Sequence, residues 1–190
     1  MPDRETVNHF VGCAHGDFTS VKAMLQKEPG LIEAESDQGE KPLQAAAHTG
    51  QTEIAEYLIQ HGAELDVCTA AMLGQFETVA NILTQSPELA HATGAHGLPI
   101  MYYPALKGHV GILELLLEKN ADINAGDGIS TSLHGAVLGG SADAAKWLVS
   151  HGARADTKDY AGRTPIEAAN LMQRTEVAEA LSQSLAPQQS

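Results

Sequence analysis

The stretch Gly39–Asp66, with the sequence GEKPLQAAAHTGQTEIAEYLIQHGAELD, has the pattern of two short helices joined by a turn. Pro42 is suited to open the first helix, and the alanines at 45–47 give it a small-residue face that a neighbour can approach closely. Gly50 ends this helix. Three aliphatic residues then recur at helical spacing on a second helix: Ile54, Leu58 and Ile59. Two short helices cannot bury such faces alone, so they require a copy of themselves on either side.

Copies of this unit run along most of the chain. Each copy can be aligned on the residue between its two helices, which is a glycine in five copies and a glutamine in the last. The aligned positions are Gly16, Gly50, Gly74, Gly108, Gly140 and Gln173, so the successive intervals are 34, 24, 34, 32 and 33 residues. A repeat near 33 residues indicates an array of stacked supersecondary units.

The sequences of these copies resemble ankyrin repeats. The openings KPLQAAAHTG, TSLHGAVLGG and RTPIEAANLM match the Thr-Pro-Leu-His pattern of that family, and the second helices include IAEYLIQHGAELD, ILELLLEKNADIN and AAKWLVSHGARAD. The resemblance implies an all-α solenoid of helix-turn-helix units with hairpin-like loops. We expect one domain over residues 5–184, with repeats at about 5–35, 36–66, 67–93, 94–125, 126–157 and 158–184, and a disordered tail at 185–190.

Composition narrows the possible partners and the location. The chain is 43% hydrophobic but only 4% aromatic, which suits a core of alanine and leucine between closely packed helices. A net charge of -13 is repelled by phosphate backbones, so we expect no nucleic-acid partner. No apolar run approaches the ~20 residues of a membrane span, so we expect no membrane insertion. Two isolated cysteines and no signal-peptide pattern favour a reducing, cytoplasmic location.

The third repeat departs from the common length. The interval of 24 residues between Gly50 and Gly74 leaves no room for a projecting hairpin between Asp66 and Val67. We therefore expect a notch in the row of hairpins.

The fourth repeat contains Tyr102-Tyr103-Pro104 where the family has a regular first helix. Pro104 lacks a backbone donor and is expected to disturb this helix. The two tyrosines allow two interpretations. Their rings fill a gap left by the disturbed helix or the missing hairpin, or they anchor a partner in the concave groove.

No motif predicts catalysis or a cofactor. The sequence has no glycine-rich phosphate loop, no paired-cysteine metal spacing, and neither the HExxH nor the GxSxG pattern, so we predict no catalytic residues, no cofactor and no metal site. By analogy with the repeat, His15 and His48 lie at the ends of first helices on the concave side, and His96 at a hairpin tip. Since stacked helices are ~10 Å apart, we expect His15 and His48 to be too distant to share a metal ion unless a loop residue intervenes.

The resemblance also implies where a partner would bind. Ankyrin proteins usually contact partners through hairpin tips, such as residues 37–40 here, and through the exposed ends of their first helices. Several apolar residues of repeats three to five occupy such positions, which predicts an apolar patch in the middle of the concave face. The predicted contact residues are Asp37, Gln38, His48, Met72, Leu73, His96, Leu98, Tyr102, Tyr103, Leu106, Lys107, Ile129, Leu138 and Tyr160.

Two functions follow from these patterns. The first is a non-enzymatic interaction module that binds a protein or peptide through its concave face and hairpin tips. The alternative is a small-molecule-binding protein or enzyme with a site in the groove near Tyr102, His96 and His48.

Overall fold

The computed structural model describes residues 2–185, and the regular elements in this range are helices, accompanied by one isolated bridge between Thr93 and Pro99. This confirms the prediction of an all-α solenoid. The expected disordered tail lies outside the described residues, except for Leu185, which ends the last helix.

Twelve α-helices in this part of the chain form six consecutive pairs. The first helices are α1 (Arg4–Ala14), α3 (Pro42–His48), α5 (Val67–Met72), α7 (Tyr102–Lys107), α9 (Ser132–Gly139) and α11 (Pro165–Leu171). The second helices are α2 (Phe18–Lys27), α4 (Thr52–Gln60), α6 (Phe76–Gln85), α8 (Val110–Glu118), α10 (Ala142–Ser150) and α12 (Thr175–Leu185). Short 3-10 segments span Pro29–Leu31, Pro87–His91 and Ala95–Gly97. None of the helices between residues 2 and 185 has both the length and the apolar character needed to span a bilayer.

The turn between the helices of a pair explains the recurring glycine. Gly108, between α7 and α8, has φ of 76°, in the left-handed region. A residue with a Cβ atom adopts this region at a cost of about 1 kcal/mol or more, so glycine is favoured there. In the sixth repeat Gln173 occupies the same region with φ of 56°.

Small residues on the first helices bring successive repeats together. Ala45, Ala46 and Ala47 are buried, and α3 packs against both α1 and α5. The second helices contribute larger aliphatic side chains, such as the buried Leu58 and Leu116. Each fully buried leucine contributes about 1.5–3 kcal/mol relative to an exposed one. The core is therefore one continuous layer of alanine and leucine along the array.

The third repeat begins without a hairpin, as its length predicts. Helix α5 starts at Val67, and the side chain of Asp66 caps it by accepting a hydrogen bond from the Thr69 backbone N–H at 2.8 Å. The expected notch in the row of hairpins, however, is wrong, because the segment Ala95–Gly97 of the fourth repeat packs against α3, and His96 reaches Glu40 of the second-repeat hairpin. The helices of these two repeats also meet. The Tyr102 hydroxyl donates to the His48 carbonyl at 3.3 Å, and Lys107 Nζ donates to the Gly50 carbonyl at 3.2 Å. Repeats two and four are therefore in direct contact.

Pro104 shortens the first helix of the fourth repeat and does not kink it. Residues 100–101 form a turn, and α7 begins only at Tyr102, so Pro104 is its third residue. Backbone N–H groups of the first helical turn have no partner within the helix. The donor that proline lacks is therefore not missed there.

Candidate functional site

The structure does not place all of the predicted contact residues on a surface. Met72 and Tyr103 are buried in the core. Leu106 is also buried, and its side chain packs against Gly50 of the second repeat. The expectation that these three face a partner is wrong, because α7 packs directly on α5 and α9. Leu73 is half-buried against the core, and Asp37, Gln38 and Lys107 are exposed.

The tyrosine pair fills space inside the protein. The rings of Tyr102 and Tyr103 meet edge to face at 5.6 Å, and both side chains are buried. Burial raises the pKa of both phenols. Of the two interpretations left open by the sequence, the structure favours the one in which the rings fill the gap.

Half of the predicted contact residues do line one concave cavity of about 590 Å³. It lies between the hairpin loops of repeats four to six and the first helices α9 and α11. The predicted residues on its wall are His48, His96, Leu98, Tyr102, Ile129, Leu138 and Tyr160. The apolar wall residues that the sequence did not predict are Val137, Ala168 and Met172. The available signal was their position, because Val137 and Ala168 lie on the first helices α9 and α11 and Met172 directly follows α11.

One polar wall of the cavity joins repeats five and six. His134 Nδ1 accepts a hydrogen bond from the Thr131 backbone N–H at 3.2 Å, and its Nε2 donates to the Arg163 carbonyl at 3.0 Å. Both ring nitrogens are thus engaged in the neutral form. Burial lowers the pKa of this imidazole. His134 therefore holds the sixth-repeat hairpin in place and is not free to react.

A buried aspartate shapes the same hairpin. The Asp159 carboxylate accepts hydrogen bonds at 2.9 Å from the backbone N–H groups of Ala161 and Arg163, and at 2.9 and 2.8 Å from Nε and Nη2 of Arg163. Burial alone would raise the pKa of Asp159, but the bonds from Arg163 outweigh it and hold that pKa below its ordinary value. This network fixes the loop that carries Tyr160.

Asp159→Ala is expected to lower the free energy of unfolding by about 2 kcal/mol at pH 7, because the part-buried N–H groups of Ala161 and Arg163 lose their charged acceptor. Urea denaturation measures this difference. The matched control is Asp156→Ala, which removes an exposed carboxylate bonded to Arg154 and should leave the unfolding midpoint unchanged.

The sign of the pH dependence follows from the lowered pKa of Asp159. A carboxyl whose folded-state pKa lies below that of the unfolded chain stabilises the fold at neutral pH, and this contribution is lost as the pH falls through the folded-state pKa. The difference between wild type and Asp159→Ala should therefore be full above about pH 5 and shrink in stronger acid. A difference that grows in acid would contradict this role.

At the other end of the cavity, three histidines surround one carboxylate. The ring centroids of His15 and His48 are 5.0 Å apart, and those of His48 and His96 are 5.2 Å apart. The exception allowed for His15 and His48 applies here, because both side chains converge on Glu40, a residue of the hairpin between their helices. His15, Glu40 and His48 offer ligand-type atoms that all lie within 4.8 Å of one another.

Stacked helix pairs with projecting loops and a concave side define an ankyrin-type solenoid. The family model for ankyrin repeats in three copies matches residues 9–127, more than half of the chain, so this protein belongs to the ankyrin-repeat family. The sequence resemblance is thereby confirmed.

Several characterised proteins are similar to it in part. Alpha-latrocrustotoxin-Lt1a of Latrodectus tredecimguttatus is 29% identical over 113 residues, 55% of this chain and 8% of that protein. Ankyrin repeat and SAM domain-containing protein 6 of Mus musculus is 27% identical over 56% of this chain and 12% of that protein. The chain thus spans only a small part of these relatives. Cyclin-dependent kinase 4 inhibitor B of Rattus norvegicus is 30% identical over 62% of this chain and 90% of that protein.

A solved structure agrees on the fold. The ankyrin repeat domain from Acinetobacter baumannii AYE superimposes with a TM-score of 0.53 at 22% identity, covering 92% of this chain and 96% of that one. At this level of identity the likeness concerns the architecture alone.

Proposed function

We propose that this chain is a non-enzymatic binding module whose concave cavity receives an apolar side chain of a protein or peptide partner. The observation that carries the proposal is the cavity of about 590 Å³, whose lining is mostly apolar and whose rim carries exposed apolar side chains. Ile129, Tyr160 and Met172 are exposed at this rim although they are large and apolar. An exposed apolar patch beside a concavity typically marks an interaction site.

The charge of the protein favours a basic partner. Its net charge of -13 attracts cations at long range and raises the rate at which a basic segment associates. We therefore propose a partner segment with one large apolar residue between lysines or arginines.

Three further points support a protein partner over other classes. A rigid array presents side chains from successive repeats with little ordering cost on binding. The rat relative, 90% of whose length is matched by this chain, is named as an inhibitor of a cyclin-dependent kinase, and a kinase is itself a protein. Ankyrin repeats are generally protein-interaction modules.

We also propose a cytoplasmic location. The buried thiols of Cys13 and Cys68 form no disulfide, which fits a reducing compartment.

A random peptide library displayed on phage tests the proposal. Selected peptides are expected to share one large apolar residue with basic flanks. Ile129→Gln and Tyr160→Ala should each weaken the best peptide at least tenfold in a fluorescence polarisation assay, because both remove apolar contact at the rim. The matched control is Phe76→Gln, which removes an exposed aromatic ring that does not line the cavity.

Two outcomes would overturn the proposed site. One is a set of selected peptides with no common apolar anchor. The other is equal binding by wild type, Ile129→Gln and Phe76→Gln, which would move the interaction to another surface.

A small-molecule site is the second candidate, and the same cavity favours it. Ligand pockets usually measure about 300–1,000 Å³ and combine apolar walls with a few polar groups, here including His48, His96 and Arg163. A metabolite that raises the melting temperature and competes with the selected peptide would support this alternative.

A further inference from the structure

The cluster around Glu40 is built from three different repeats. His15 follows α1, His48 ends α3, and His96 lies in the 3-10 segment Ala95–Gly97 of repeat four. Their nitrogens face the Glu40 carboxylate. His15 Nε2 is 3.5 Å from Oε2, whereas His48 Nδ1 and His96 Nε2 are 2.9 and 3.4 Å from Oε1. The glutamate side chain is only 4% exposed. A buried carboxylate is thus aimed at three imidazole nitrogens.

The ring protons of two histidines point elsewhere. A backbone carbonyl only accepts hydrogen bonds, so the nitrogen beside it must carry the proton. His15 Nδ1 is 3.1 Å from the Val11 carbonyl, and His48 Nδ1 is 3.1 Å from the Gln44 carbonyl. In the neutral imidazoles, Nε2 of both rings is therefore an unprotonated, ligand-competent nitrogen.

This arrangement leaves Glu40 short of donors. Among residues 2–185, no donor makes an aligned hydrogen bond to the buried atom Oε1, although His48 Nδ1 is within 2.9 Å. The other oxygen, Oε2, faces Nε2 of His15, which carries no proton in the neutral ring and so cannot donate a hydrogen bond. A buried anion with unpaired oxygens is costly, so native sites supply a proton or a cation. The missing component at the centre of this cluster is a positive charge.

We propose that His15, Glu40 and His48 bind a divalent transition-metal ion of the zinc class, and that His96 completes or gates the fourth position. Two imidazoles and one carboxylate form a ligand set suited to Zn²⁺. With metal–ligand bonds of about 2.0–2.1 Å, ligand atoms of a tetrahedral site lie roughly 3.3 Å apart. The ligand-type atoms of His15, Glu40 and His48 all lie within 4.8 Å of one another, and the His15–Glu40 distance of 3.5 Å is already near this spacing.

The hydrogen bond on the other side of the His15 ring agrees with this assignment. Histidines that bind metals usually donate their other ring N–H to a backbone carbonyl or a carboxylate, and the His15–Val11 bond has this form. His96 is half-exposed, so it can leave the fourth position open to solvent or to a donor group of another molecule. Histidine and glutamate bind metal ions only in their unprotonated forms, so the affinity for zinc should fall in acid.

Isothermal titration of the full chain with ZnCl₂, after EDTA treatment and dialysis, tests the inference. We expect one equivalent to bind with a dissociation constant at or below the micromolar range, and Co²⁺ in its place to give the visible absorption of a four-coordinate site. Zinc should also raise the melting temperature in a saturable manner. His15→Ala and Glu40→Gln should each weaken binding at least tenfold, and circular dichroism shows whether each variant is folded.

The matched control is His61→Ala, which removes a histidine that stacks on Tyr57 outside the cluster. Zinc binding that is unchanged in His15→Ala and Glu40→Gln, or that is lost equally in His61→Ala, would place the ion elsewhere and overturn the inference. So would the absence of one-equivalent binding to wild type. Peptide binding is measured in EDTA, so failure of the peptide proposal and failure of the metal proposal are separate results.

Discussion

Tyr103→Ala is expected to lower the free energy of unfolding by about 4 kcal/mol, the largest effect among the variants considered. Truncation of a buried aromatic ring removes its transfer free energy and leaves a cavity, at a typical cost of about 3–5 kcal/mol. Tyr103 is 1% exposed and is one of the largest fully buried side chains in the described part of the chain. Its hydroxyl lies so close to Gly94 that a Cβ atom there would be 2.1 Å from it.

Urea denaturation followed by circular dichroism measures this loss. The control is Tyr160→Ala, since Tyr160 is 81% exposed on a hairpin tip. That change should leave the unfolding midpoint unchanged while it weakens peptide binding. If Tyr103→Ala instead kept its stability and lost only peptide binding, Tyr103 would be the surface anchor that the sequence also allowed.

Gly139→Ala is expected to destabilise the fold by about 3 kcal/mol, although alanine is the better helix former by about 1 kcal/mol. A Cβ atom at this position would lie 1.6 Å from the Leu106 carbonyl oxygen and 2.7 Å from its carbon. Helices α7 and α9 must therefore move apart, and overpacking of this kind typically costs 1–3 kcal/mol. The expected fall in melting temperature is about 6–12 °C for a domain of this size.

The contrast variant is Gly111→Ala in α8, where a Cβ atom would meet no heavy atom within 4 Å. This change should stabilise the protein by about 0.5–1 kcal/mol through helix propensity and the unfolded state. The two glycine variants are thus expected to shift the denaturation midpoint in opposite directions. A stabilising effect of Gly139→Ala would show that α7 and α9 are less closely packed than the structure has them.

Local sequence signals account for the architecture. The glycine between paired helices, the aliphatic stripe of Ile54 and Leu58, and the short interval before Gly74 are all encoded within about 35 residues. They therefore predict the helix pairs and the missing hairpin. The weak helix propensity of the glycines in α9 is also visible in the sequence, but its reason, the approach of Leu106, is visible only in three dimensions.

The site could be predicted only in part, because its contacts join distant segments. A stacking distance of about 10 Å separates helix axes, but the imidazoles of His15 and His48 extend toward one another and meet at 5.0 Å. Glu40 and His96 come together only because the intervening repeat has no hairpin. The burial of Tyr103 likewise depends on how α7 is placed against α5. No periodicity in the sequence encodes these placements.

The direct contact between the second and fourth repeats has a consequence for the cooperativity of unfolding. In most solenoids each unit is coupled energetically only to its immediate neighbours, so the ends can unravel one unit at a time. Here the contacts of Tyr102 and Lys107 with the second unit bypass the third. Repeats two to four are therefore expected to unfold as one cooperative unit. The third repeat, which is the shortest, should unfold only together with the second and the fourth.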